Sequence, residues 1–234
     1  MWWFKAIRAN LAMLCRRAQP AAAGGKLLDA GCGTGGFLAD LIRRFPDGEL
    51  IGLDADEIAC HWAAEKSGQP ICTGSINALP FGDASFTMIV SVDVLCHRDV
   101  DETRALGQFH RCLAAGGLLI LNLPAYHWLM SRHDRAVYNA RRYTRGQVVR
   151  LLRKAGFRPI FAGYWNMILL PLMIATRKLL PAGPGSDVKL QPRPVEALCR
   201  AATSIERALM RTGIRLPFGG SILAVAAKSE SIRV

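Results

Sequence analysis

Residues 27–37, Leu-Leu-Asp-Ala-Gly-Cys-Gly-Thr-Gly-Gly-Phe, constrain this chain more than any other stretch. A short apolar run enters a cluster of glycines and leaves into a segment of helical periodicity, which predicts a buried strand, a tight turn and a helix over Thr34 to Phe45. Gly31, Gly33 and Gly35 let the backbone take positive φ and approach a ligand closely, because no Cβ stands in the way. A strand, glycine turn and helix in this order make a nucleotide site. The glycines leave the nucleotide open. With Gly36 counted, the stretch also fits G-x-G-x-x-G, and Asp54 follows where a ribose-binding acid belongs.

Asp29 narrows the choice. A carboxylate two residues before the first glycine faces a pyrophosphate across a short gap and repels it. S-adenosylmethionine suits the turn better, since it has no phosphate and carries an ammonium and a sulfonium that a carboxylate holds by charge-assisted hydrogen bonds.

Three further stretches stand in order behind the first: Ile51-Gly52-Leu53-Asp54, Ala78-Leu79-Pro80-Phe81 and Ser91-Val92-Asp93-Val94-Leu95-Cys96-His97. Together with Asp29-Ala30-Gly31-Cys32-Gly33-Thr34-Gly35 they resemble, in order and spacing, the motifs of the class I, Rossmann-like S-adenosylmethionine-dependent methyltransferases. The resemblance covers roughly residues 25–125. The stretch Arg141-Arg142-Tyr143-Thr144 followed by Ala155-Gly156-Phe157 is similar to small-molecule members of that family. It implies an α/β, three-layer Rossmann-like fold: a mostly parallel seven-stranded sheet with an antiparallel last strand, an N-terminal helix and a helical insertion before the last strand. It implies S-adenosyl-L-methionine as cofactor and S-adenosyl-L-homocysteine as product, held by Asp29, Gly31, Cys32, Gly33, Asp54, Ala55, Ser75 and Ile76, with Asp93 near the methionine end. The chain departs from the family pattern twice. Ser75 and Thr87 each stand where an Asp is common, which removes negative charge expected near the adenine.

The rest of the chain reads as one domain over 1–234: an amphipathic basic helix within 1–20, a cofactor-binding core at 21–126, and an acceptor-side half at 127–234 with a helical insertion at about 164–217. For the helix, packing on the domain, a lid and a membrane contact all remain open. Residues 181–194 hold four prolines and two glycines and read as a loop. The net charge of +12 is unevenly spread. Residues 21–126 hold 7 basic and 13 acidic side chains, net −6, whereas residues 127–158 hold 9 basic and 1 acidic, net +8. Basicity thus lies on the acceptor side, where it serves an anionic substrate, an anionic membrane surface or nucleic acid. Nucleic acid is the weaker expectation, because the basic residues are not interleaved with aromatics and no Asn/Asp-Pro-Pro-aromatic motif follows the fourth strand. A methyltransferase-like protein that puts the cofactor to other chemistry is a further alternative.

Methyl transfer from a sulfonium is dominated by approximation of two bound reactants, which supplies about 7–11 kcal/mol. A general base adds about 10² to 10⁴ in rate when the acceptor is a hydroxyl or an amine. His97, at the end of the fourth strand, and His133 with Asp134 in the following loop are the candidates. Tyr126, Tyr138, Arg142 and Tyr143 lie in the same loop region and are the expected acceptor-binding residues. No cysteine or histidine spacing suggests a metal. Seven cysteines without a C-x-x-C pair suit a reducing cytoplasm. The N-terminus lacks a signal-peptide pattern. Ile160 to Thr176 is apolar, but Gly163, Asn166 and Pro171 interrupt a run already short of the ~20 residues a span needs. The apolar segments edged with Arg and Lys point instead to a small, lipophilic or membrane-presented acceptor, with the protein peripheral on the inner membrane face.

Overall fold

The computed structural model describes residues 1–22, 25–43, 45, 48–175 and 192–229. Seven strands form one sheet: β1 (Lys26–Ala30), β2 (Glu49–Asp54), β3 (Ile71–Thr73), β4 (Phe86–Val92), β5 (Leu113–Pro124), β6 (Phe157–Trp165) and β7 (Ser221–Lys228). Their spatial order is β3-β2-β1-β4-β5-β7-β6. β1 to β5 pair in parallel, and β7 runs antiparallel to both β5 and β6. Parallel strands buried on both faces read as unbroken apolar runs, and Leu119, Ile120 and Leu121 of β5 illustrate this.

The helices are α1 (Trp2–Ala22), α2 (Leu38–Ile42), α3 (Glu57–Ser67), α4 (Glu102–Cys112), α5 (Arg132–Ala136), α6 (Arg145–Lys154), α7 (Leu170–Ile174) and α8 (Arg193–Arg211). Their starts follow capping chemistry. The Asp56 side chain accepts from the N–H groups of Ile58 and Ala59, and Asp101 does the same for Thr103 and Arg104. Thr144 and Gln147 form a capping box at α6, as Ser131 and Asp134 do at α5.

Two apolar layers sandwich the sheet. On one face Ile7, Leu11 and Leu14 of α1, Leu38 and Leu41 of α2 and Met210 of α8 pack with Met88, Val90, Ile120 and Leu223. On the other, Leu106 and Phe109 of α4 and Val148 and Leu152 of α6 pack with Leu28, Ile89, Leu119 and Ile222. The N-terminal helix is therefore a packed element of the domain. Arg8 also ties it to the glycine turn, donating to the Gly36 carbonyl at 3.2 Å and pairing with Asp40 at 3.3 Å.

The helix expected over Thr34 to Phe45 is regular only over Leu38–Ile42. Gly35 sits at φ +73, which an α-helix cannot include, so the first residues of that stretch stay in the turn. The apolar segment after β6 does not stand apart from the sheet, since Trp165 closes β6 and is fully buried. Its continuation from Thr176 and most of the proline-rich stretch lie outside the described residues.

Candidate functional site

Strand order reverses between β1 and β4, and ligands in such sheets bind outside the carboxyl ends of the strands at that point. The glycine turn follows β1 there. Gly31, Gly33 and Gly35 have φ of +85, +51 and +73, all unfavourable for a side chain. A Cβ on Gly31 would stand 2.2 Å from a Val94 methyl, and one on Gly35 2.7 Å from the Ala63 backbone. Gly33 has open space beside it. The N–H groups of Gly31 and Cys32 both donate to the Leu53 carbonyl, at 2.7 and 2.9 Å, which draws the turn against the end of β2.

Asp54 then fixes the turn from the other side. One carboxylate oxygen accepts from the Gly33 N–H at 2.8 Å, and the other from the Asp56 N–H at 3.0 Å. Ala55 beside it is exposed, whereas the Cys32 side chain is buried and its thiol is pushed up by burial and by Asp29. Asp29 is 2% exposed and one of its oxygens has no hydrogen-bond partner. Burial, and then the Asp54 charge, raise its carboxyl to about 7. A sealed carboxylate oxygen without a partner, behind a turn with open space at Gly33, fits a cationic ligand group. The phosphate-free cofactor meets that requirement.

On the expected adenine side Ile76 is buried and Ser75 exposed, the Ser75 hydroxyl accepting from the Asn77 N–H at 3.2 Å. Thr87 lies elsewhere. It is the second residue of β4, at the edge away from the turn, and its hydroxyl donates to the Lys26 carbonyl. The missing Asp at this position therefore does not touch adenine recognition.

After β4 the chain is stitched to residues 138–143. Ala140 and Arg141 N–H groups donate to the Cys96 carbonyl, Arg98 N–H to Tyr138, and the Arg141 guanidinium to the carbonyls of His97 and Val100. Asp134 and Arg142, expected as a base and as an acceptor-binding cation, are each other's partners. Asp134 is fully buried. One oxygen takes Nε and Nη2 of Arg142 at 3.1 and 2.7 Å, and the other takes the N–H and hydroxyl of Ser131 at 2.8 and 2.9 Å. Arg142 spends its remaining nitrogen on the Ala125 carbonyl at 3.0 Å. Tyr143 is buried too, its hydroxyl donating to the Leu95 carbonyl at 3.0 Å. These three side chains brace the wall of the site, because their hydrogen-bonding atoms are already taken.

Tyr126 stays at the surface of that wall, stacked between Trp128 and Tyr164 at ring distances of 5.8 and 5.3 Å. Tyr138 is exposed beneath the Arg98 guanidinium, 4.4 Å from its ring centre. His133 is half-buried in α5. His97 is also half-buried, and desolvation lowers its pKa, which keeps it neutral near pH 7. The charges acting on it are Asp54, Asp99 and Arg141.

Two residues of the site were missed by sequence reasoning. Asn122 is a fully buried amide within β5, and Trp165 is the indole that bonds to it. A lone amide inside Leu-Leu-Ile-Leu-Asn-Leu was the available signal, since a polar group is kept in such a place only with partners.

Residues 28–121 match a family described as a methyltransferase domain. A malonyl-[acyl-carrier protein] O-methyltransferase of Dechloromonas aromatica (strain RCB) is 33% identical over 118 residues, 50% of this chain and 43% of that protein. A 24-methylenesterol C-methyltransferase 2 of Oryza sativa subsp. japonica is 30% identical over 125 residues, 48% of this chain and 31% of that protein. The chain thus spans less than half the length of either relative. The crystal structure of geranyl diphosphate C-methyltransferase from Streptomyces coelicolor A3(2), in complex with S-adenosyl-L-homocysteine, matches 88% of this chain and 72% of that one with a TM-score of 0.57, at 16% identity. That likeness concerns the fold. Sheet order, glycine turn and sequence match agree, and residues 28–121 form a methyltransferase domain within a Rossmann-like sheet.

Proposed function

We propose that this protein transfers the methyl group of S-adenosylmethionine to a small, lipophilic acceptor presented at a membrane surface. The observation that carries the cofactor half is the partnerless, buried oxygen of Asp29 behind the Gly31–Gly35 turn. Asp29 takes the ammonium, Asp54 the two ribose hydroxyls, and Ile76 one side of the adenine, with Gly33, Cys32, Ala55 and Ser75 lining the path between them. The bound cofactor supplies an electrophilic methyl group on a sulfonium. The protein's part is to hold the acceptor in line with it and to exclude water. His97 backs the ribose side, and Tyr126, Tyr138 and His133 face the acceptor.

Cofactor affinity should depend on pH through Asp29. The protonated carboxyl cannot pair with an ammonium, so binding favours its ionised form and strengthens as pH rises through about 7. Calorimetry with S-adenosylhomocysteine should give a dissociation constant roughly tenfold weaker at pH 6 than at pH 8. Asp29→Asn should flatten the dependence, and an unflattened curve would assign it to another group.

The acceptor half rests on the outer face of α8. Leu198, Ala201, Ile205 and Ala208 recur at helical spacing and are all exposed, Leu198 by 67%. Phe4 of α1 and Phe218 after α8 are exposed as well, as are the cations Lys5, Arg200 and Arg215. No helix among the described residues is long and apolar enough to cross a membrane. An apolar stripe together with exposed cations suits an anionic lipid surface, each cation adding about 1 kcal/mol, and a relative named as a sterol methyltransferase supports a lipophilic acceptor. At low salt the protein should float with anionic liposomes, and labelled methyl groups should appear in lipid extracts. Protein that stays at the bottom of the gradient, or label confined to the aqueous fraction or to RNA, contradicts this acceptor.

A further inference from the structure

Asp93 directly follows β4 in the left-handed region at φ +55, a conformation that strains a non-glycine residue. It is held there at two points. Its N–H donates to the Asn122 carbonyl at 2.9 Å, and its Oδ1 accepts from Asn122 Nδ2 at 2.9 Å. Asn122 is itself oriented by Trp165, whose indole Nε1 donates to its Oδ1 at 2.8 Å. Trp3 of α1 stacks on that indole with ring centres 4.8 Å apart. Three elements, β5, β6 and α1, thus fix one oxygen of one carboxylate, while its Oδ2 has no hydrogen bond among the described residues.

Val94, the next residue, packs against Gly31 of the glycine turn, and Cys96, whose thiol donates to the Asp93 carbonyl at 3.1 Å, accepts from the Ala140 and Arg141 N–H groups of the wall. Arg142 and Asp134, from the wall that bounds the acceptor side, act on Asp93, and the Cys96 thiol lies close by. Asp29 and Asp54, which would hold the cofactor, act on each other. Asp93 therefore stands at the boundary between the glycine turn and the wall built by residues 134–143, with one carboxylate oxygen fixed and the other without a hydrogen bond among the described residues.

We propose that Asp93 is the general base of the transfer, positioned by Asn122 and Trp165, and that the acceptor is a protic oxygen or nitrogen nucleophile. This rests on the methyltransferase reading. In the step, the sulfur–methyl bond breaks with its electron pair passing to sulfur, the acceptor's oxygen or nitrogen bonds to the methyl carbon, and the proton it loses goes to Asp93 Oδ2. Burial raises the Asp93 carboxyl to about 7, with the Asn122 hydrogen bond and the Arg142 charge lowering it and Asp134 raising it. A base that titrates near the working pH is both available and strong enough to take a proton. Asp134, with both oxygens engaged, is less suited to this task.

The test uses the full chain, S-adenosylhomocysteine as binding probe, and methyl-labelled S-adenosylmethionine with protein-free cell extract as the acceptor pool. At saturating S-adenosylmethionine, with binding of S-adenosylhomocysteine measured alongside, Asp93→Asn should lose about 100-fold or more in labelled product. Trp165→Phe keeps a ring against Trp3 but cannot donate to Asn122, so the Asn122 bond to Asp93 loosens. Carbon-13 NMR of the Asp93 carboxyl, identified by its loss in Asp93→Asn, should then titrate at higher pH than in the parent, and the acid limb of the rate profile should move the same way. A merely structural Trp165 would lower the melting temperature and leave both midpoints where they were. An Asp93→Asn variant that transfers methyl as fast as the parent, an unmoved midpoint, or a product methylated on carbon overturns this proposal alone. A parent that binds no S-adenosylhomocysteine overturns the methyltransferase reading and this proposal with it.

Discussion

Asp54→Ala should raise the dissociation constant for S-adenosylhomocysteine more than tenfold, as read by calorimetry. Two contributions add. In the proposed function the carboxylate accepts from both ribose hydroxyls, and hydrogen bonds to a charged group contribute about 1.5–3 kcal/mol each. The same oxygens already hold the N–H groups of Gly33 and Asp56, so their loss also releases the turn that the ligand must meet in one conformation. Asp54→Asn keeps one acceptor oxygen and should fall between the two. Unchanged binding in Asp54→Ala would mean that the end of β2 is not the ribose site.

The largest effect on stability should come from Asp134→Ala. It leaves the Arg142 guanidinium, 7% exposed, without its carboxylate, and breaking a buried pair in this way costs about 3–5 kcal/mol. It also removes the capping box of α5. For a chain of this size, thermal denaturation should show a fall of roughly 6–20 °C. Replacing both partners, Asp134→Leu with Arg142→Met, should cost far less than Asp134→Ala alone, since no unpaired charge remains. Equal losses in the single and double variants would mean that the pair is not what braces the wall.

Much of the architecture was legible because its causes are local. Glu49–Asp54, Phe86–Val92 and the strand ending in Lys228 are apolar runs bounded by turn residues, and buried strands require that pattern. Asp29, Asp54 and the three glycines were legible for a related reason: positive φ and a carboxylate beside the turn are written in the residue types themselves. What could not be read depends on partners distant in sequence. Asp134 in a loop rich in arginines looks like a base until its second oxygen is found on Ser131 and its first on Arg142. Tyr143 looks like an acceptor contact until its hydroxyl is seen on Leu95, 48 residues away. Trp165 opened an apolar stretch that suggested a surface segment, because hydropathy does not report that the indole has Asn122 as its partner.

Titration of the parent protein with S-adenosylmethionine, S-adenosylhomocysteine and NAD(H), under one set of conditions, tests the central claim most directly. The two sulfur compounds should each bind at one site per chain and displace one another, with NAD(H) giving no heat, because Asp29 accepts a cation and repels a pyrophosphate. Binding of NAD(H) without binding of either sulfur compound would contradict the account.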